Sequence, residues 1–173
     1  MVVARTPLQR LDQNARRLLP GLSTLLLGII AALPVGIPQW GALAPPLMLI
    51  GVFYWSLVRP DLMPPSAAFA LGLFGDLLTG APLGSGALVM VLTQWTMRSQ
   101  QRFLVNRPFL LLWASFFPVA AAATAIDWIV YAILTFHPLP ILGGIARAML
   151  GFVLFPVVAW LALIPAHRAI PVE

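Results

Sequence analysis

A carboxylate set inside an apolar helix constrains the fold of this chain more than any other feature. In the stretch AFALGLFGDLLTGAPLG, residues 68–84, Asp76 is the one charged residue. A helix here puts Ala68, Gly72, Gly75 and Thr79 on one face, at spacings of four, three and four, so a neighbouring backbone can approach a smooth surface. Asp76 flanks that face. The helix has to end near Thr79, because Gly80 can take the left-handed conformation that closes a helix and Pro82 cannot continue one. Asp76 then sits in the last turn, where the helix dipole disfavours a negative charge. In lipid, an unpaired ionised Asp adds a cost of about 2.5 to 3.5 kcal/mol at a helix centre and less toward the ends. The residue therefore needs a partner, a proton or water.

Composition decides whether lipid is the right solvent. Of the 173 residues, 61% are hydrophobic and 9% charged, against about 25% charged in an ordinary soluble domain. This is the composition of an integral membrane protein. The basic balance comes from ten Arg with no Lys. In a chain this apolar it speaks of membrane orientation, and no basic patch interleaved with aromatics points to nucleic acid. Without cysteine there is no disulfide framework, CxxC metal site or thiol nucleophile. The length accommodates one all-α bundle of about six spans at about 20 residues each.

Residues 1–17 form a basic N-terminal segment with Arg5, Arg10, Arg16 and Arg17. Leu8, Leu11, Ala15 and Leu18 fall at helical spacing among them. Two readings stand, a short helix on the inner membrane surface or a loosely ordered basic tail that sets orientation. Residues 18–166 hold the six spans, and 167–173 a short cytoplasmic tail. The first apolar run, Leu18 to Pro38, reads as a retained anchor and not a signal peptide, given Pro34 and a poor cleavage site near Ala32. Span two starts near Leu43, tolerates Pro45 and Pro46 in its first turn, and ends at Tyr54 and Trp55, which resemble an interfacial belt. After the turn RPDLMPP, span three runs from about Pro65 to Thr79 and span four from about Ser85 to Met97. Span five, Pro108 to Thr135, carries Pro118 as a kink site. The turn Phe136 to Pro140 leads to the last span, Ile141 to Pro165.

With both termini inside, nine of the ten arginines collect on the inner side, as the positive-inside rule requires. Trp40 falls near the outer boundary and Trp55, Trp95 and Trp160 near the inner one. Arg147 is the exception. It and Asp127 stand ten residues to either side of His137 in the hairpin of spans five and six, so both reach the same depth. Asp127 shares a face with Ala120, Thr124 and Tyr131; Arg147 shares one with Gly144 and Gly151. Asp76 lies at a similar level, which defines an outer-third polar cluster of Asp76, Asp127 and Arg147. The cluster reads either as a buried ion pair that fixes helix register or as a site that receives a partner or ligand.

Other chemistry is thin. Ser85, His137 and Asp127 are the residue types of a hydrolytic triad, but no nucleophile elbow surrounds Ser85. Two histidines do not make a metal site, and no GxxxxGK[ST] loop offers a nucleotide site. The chain reads as non-enzymatic and free of cofactor. Met48, Met63, Met90, Met97 and Met149 read as packing.

PPLMLIGVFYWSLVRPD, residues 45–61, followed by GLFGDLLTGAPLGSGAL, residues 72–88, resembles the MreD family of rod shape-determining membrane proteins. The residues that carry the likeness are Pro46 before span two, Tyr54 and Trp55 at its inner end, and Gly72, Asp76, Gly80 and Gly84. Phe155-Pro156 also sits where the family tends to have an aromatic followed by proline. The resemblance implies a six-helix membrane fold similar to the membrane component of energy-coupling vitamin transporters. It also implies a scaffold in the bacterial cytoplasmic membrane that helps maintain cell shape and direct lateral peptidoglycan synthesis. The implied partners are MreC, with MreB, RodA and the elongation transpeptidase in a larger complex, and membrane lipid. A competing class is the substrate-binding membrane subunit of a small-molecule transporter, in which the same cluster lines a pocket.

Overall fold

Prolines and glycines punctuate this chain, and the helices follow them. A computed structural model describes residues 7–33, 44, 46–104, 107–135 and 141–164. Arg5, Pro34, Pro38, Trp40, Pro45, the turn with His137, and the tail with Arg168 lie outside the described residues. Among the described residues the α-helices are α1 (Pro7–Ala32), α2 (Leu47–Val58), α3 (Pro65–Thr79), α4 (Ser85–Leu104), α5 (Phe109–Thr135) and α6 (Ile141–Val158). A π-helical turn, Ala159–Leu163, extends α6.

Helix α2 is the hub. Every residue from Leu47 to Leu57 is buried, and its neighbours are α1, α4 and α6, with lesser contacts to α3 and α5. It is hydrophobic all round, as a helix with no solvent-facing side must be. Pro60 ends it: the residue before a proline is pushed out of the helical region, and Arg59 is extended at φ −141° with its N–H on the Trp55 carbonyl. A 3-10 turn, Pro60–Leu62, follows, and Pro65 opens α3 at the first helical position, where the missing N–H costs nothing. Gln94 of α4 donates from Nε2 to the Met63 carbonyl at 3.1 Å, tying this turn to the bundle.

An aromatic cluster joins α2 to the last hairpin. Phe53 meets Phe116 and Phe155 edge-on at 5.2 and 5.5 Å, and the latter two stack at 4.9 Å. All three are fully buried. Such pairs add about 0.5–1.5 kcal/mol each beyond their burial. Next to Phe155, Pro156 has no N–H to give the carbonyl one turn earlier, that of Phe152. The indole of Trp113 on α5 donates to that same oxygen at 2.8 Å and stacks on the Phe152 ring at 4.8 Å. The proline therefore opens an acceptor on α6, and α5 fills it.

Three expectations from the sequence change. The described parts of the N-terminal segment and first span run as one helix, Pro7–Ala32, because charge alone does not end a helix and Pro20 is accommodated within it. Helix α4 runs to Leu104 and not Met97; the apolar pattern stops at Met97, but Ser99 to Arg102 contain no breaker. Tyr54 and Trp55 are buried against the bundle instead of forming a belt, and Trp55 donates from Nε1 to Ser23 Oγ of α1 at 3.0 Å. A polar N–H on the hub needs an acceptor more than it needs an interface.

The outside of the bundle is apolar. Leu22, Leu26, Phe69, Leu77, Leu92, Phe117, Ile133, Val153 and Trp160 are among many large side chains left exposed, far beyond what a soluble monomer shows. Among the described residues two helical stretches, Phe109–Leu134 and Leu142–Leu163, are long and apolar enough to cross a membrane.

Candidate functional site

Asp76 finds its partner on the next helix. Gly80 closes α3 in the left-handed region at φ +66°, and its N–H and that of Ala81 both donate to the Asp76 carbonyl. The chain turns back through Gly84, at φ +100°, and α4 begins. Gly84 is the residue whose carbonyl accepts the first α4 bond, from Leu88 N–H at 2.9 Å. A serine or aspartate at such a position would cap the helix with its own side chain; glycine has none. The Asp76 carboxylate substitutes for it from α3. Its Oδ2 accepts the N–H of Gly84 and its Oδ1 that of Gly86, both at 2.8 Å, while the Ser85 hydroxyl lies 3.5 Å from Oδ1.

This clasp explains the glycines around it. A Cβ on Gly86 would collide with Asp76 Oδ1 and stand 3.1 Å from the Gly72 carbonyl. A Cβ on Gly72 would collide with the α4 backbone, 2.6 Å from Ala87 N and from the Gly86 carbonyl. Helices α3 and α4 therefore touch backbone to backbone, with the carboxylate sealing their joint. Asp76 is 3% exposed. Its unfavourable place at the end of the α3 dipole is offset by the favourable one at the start of α4.

Of the predicted small-residue face, Gly72 meets α4, whereas a Cβ on Gly75 would meet Met48 of α2 at 3.2 Å. Thr79 is exposed and donates to the Gly75 carbonyl at 2.9 Å. Pro46 packs on α6, where a Cβ on Gly151 would come within 2.8 Å of its ring. Tyr54 and Trp55 belong to the hub. Gly86 and Trp113 escaped the reading from sequence, and Ser85 enters it as a candidate nucleophile and not as a neighbour of Asp76. The pattern Gly84-Ser85-Gly86 at a helix start was the available signal for Gly86 and Ser85, and Pro156 four residues after Phe152 for Trp113.

The second polar feature is on the last hairpin. Arg147 Nη1 stands 3.9 Å from Asp127 Oδ2, with the two side chains 39% and 35% exposed. The pair is half-buried at the α5–α6 seam, close to the point where Gly144 would, with a Cβ, meet Thr124 Cγ2 at 2.8 Å. Asp76 makes its hydrogen bonds with α4 and no ion pair with Arg147 among the described residues. Among the described residues no group of three His, Cys, Asp or Glu is placed to hold a metal.

No curated protein and no solved structure matches the chain. A family model, rod shape-determining protein MreD, matches residues 15–163. That span takes in α2, the turn, the clasp and the aromatic hairpin. On this match, and on the glycine, aspartate and proline positions whose packing has just been described, the chain belongs to the MreD family of rod shape-determining membrane proteins.

Proposed function

We propose that the protein is a non-catalytic scaffold of the bacterial cell-elongation machinery. It sits in the cytoplasmic membrane as a six-span bundle with both termini in the cytoplasm, and it receives the transmembrane helix of MreC. MreB, RodA and the elongation transpeptidase join the same assembly, in which it helps direct lateral peptidoglycan synthesis.

The observation that carries this reading is how the signature residues are used. Both carboxylate oxygens of Asp76 are occupied by backbone N–H groups of its own chain, Gly72 and Pro46 are occupied by close packing, and Gly80 and Gly84 hold the left-handed turns between the two helices. A motif whose polar atoms are already engaged builds a rigid surface and does no chemistry. The Asp127–Arg147 pair differs: it is half-exposed on a hairpin whose other outward residues, Ile129, Ile133, Ile145 and Met149, are apolar. A charged pair facing lipid is costly, and a polar group on a partner helix relieves that cost. Asp76, Asp127 and Arg147 accordingly divide the work, with the first fixing the fold and the other two meeting the partner.

The test is co-purification with MreC from mild detergent. Wild-type protein should retain MreC, and Asp127→Asn with Arg147→Gln should release it while keeping the thermal stability of the isolated protein. Retention by the double variant would remove the pair from the interface; failure of the wild type to retain MreC would remove the scaffold reading.

A further inference from the structure

The two ends of the bundle differ in charge. At the clasp end the connection Gly80 to Gly84 carries no charge, and both oxygens of Asp76 accept backbone N–H groups. The opposite end collects Arg59 after α2, Arg98 and Arg102 on α4, and Arg107 before α5, with Asp61 after α2 and Asp12 in the first turns of α1 as the carboxylates among the described residues there. Arg98, Arg102 and Arg107 are exposed, and none makes an ion pair or a side-chain hydrogen bond among the described residues.

The arrangement along α4 is graded. Its outward face begins with Leu88 and Leu92, passes through Trp95, and then changes to Arg98, Ser99 and Arg102, with Phe103 beside them. Trp95 and Phe103 are each 69% exposed. Arg98 and Arg102 are four residues apart on one face, so their guanidinium groups point the same way. At about 1.5 Å per residue they lie about 4.5 and 10.5 Å beyond Trp95 along the axis. The polar zone on each side of a bilayer is about 5 to 7 Å deep. An indole at its apolar boundary therefore puts Arg98 within the phosphate layer, and the long side chain of Arg102 bends back to reach it.

We infer that the outer face of α4 from Trp95 to Arg102, with Arg107, binds the phosphate headgroups of anionic phospholipids. The guanidinium fork suits phosphate oxygens, exposed cations that make no ion pair among the described residues supply the charge complement, and the Trp95 ring inserts at the chain–headgroup boundary. Lipid on this face fixes the depth of α4, and with it the clasp at the far end of the same helix. This inference rests on the membrane reading above but not on the choice of protein partner.

The experiment uses the full chain in phosphatidylcholine bilayers containing either brominated phosphatidylglycerol or brominated phosphatidylcholine, read by tryptophan quenching. The Trp95→Phe variant, subtracted, isolates the signal at Trp95. Quenching should show a preference for phosphatidylglycerol of about fivefold at low salt, the effect of one fully engaged arginine. The preference should fall to near unity in Arg98→Gln with Arg102→Gln and persist when both are replaced by lysine. Equal quenching by the two lipids, or a preference unchanged in the glutamine variant, overturns the inference. Incorporation into both bilayers with equal helix content leaves the membrane reading intact in either event.

Discussion

Asp76→Ala removes both acceptors of the clasp at once. A backbone N–H donating to a carboxylate contributes about 1.5 to 3 kcal/mol, and the favourable charge at the start of α4 adds about 0.3 to 1 kcal/mol. Two bonds and the dipole together come to about 3 to 7 kcal/mol. Polar groups released inside a membrane find other partners, which lowers such values, so about 3 kcal/mol is the working figure. Asp76→Asn keeps one acceptor oxygen but turns an NH2 group toward the second backbone N–H, and should lose about 2 kcal/mol. Gly86→Ala attacks the same joint from the other side, since its Cβ falls on Asp76 Oδ1. If the carboxylate's position is what both changes disturb, Asp76→Ala and Gly86→Ala overlap: their combined loss is smaller than the sum by about 2 kcal/mol. The assay is equilibrium unfolding of the purified protein in mixed micelles of rising sodium dodecyl sulfate, followed by tryptophan emission. A loss below about 0.5 kcal/mol for Asp76→Ala, or simple additivity with Gly86→Ala, refutes the clasp.

Three further outcomes test other parts of the fold. Trp113→Phe should cost about 1 to 3 kcal/mol by leaving the Phe152 carbonyl without a donor; adding Pro156→Ala restores an N–H to that carbonyl and should recover part of the loss in the same unfolding assay. Gly80→Ala and Gly84→Ala should each lower the unfolding midpoint by the equivalent of about 1 to 2 kcal/mol, from backbone strain alone, because no atom lies within 4 Å of the added Cβ at either position. Cysteines at 127 and 147 should join through a short bifunctional reagent, and absence of the crosslink would discard the register of the α5–α6 hairpin.

Much of this architecture is readable before any coordinates because lipid-facing helices are punctuated by residues with strong backbone preferences. Gly80 followed by Pro82 closes a helix on backbone grounds alone, and φ +66° at Gly80 is the expected result. The need of Asp76 for a partner follows from electrostatics, but not the partner's identity. That depends on φ +100° at Gly84, which swings the first N–H groups of α4 toward the carboxylate, and periodicity carries no information on such an angle. Asp127 and Arg147 stand at equal counts from His137, which sequence gives; their 3.9 Å separation and half-exposure it does not. Tyr54 and Trp55 misled because an aromatic pair beside an arginine has the same pattern whether it faces headgroups or a hub. Only the crowding of α1 and α6 around α2 separates the two cases.

Helix α2 has 12 residues, about 18 Å at the usual rise, whereas the hydrocarbon layer is about 30 Å thick. Because protein encloses it on all sides, it has no thickness to match. A bilayer that swells or thins pulls on α5 and α6, whose outward faces meet the lipid tails, while the central column keeps its own dimensions. Cells that alter their acyl-chain length with temperature should therefore strain the rim of this molecule and leave its axle unmoved.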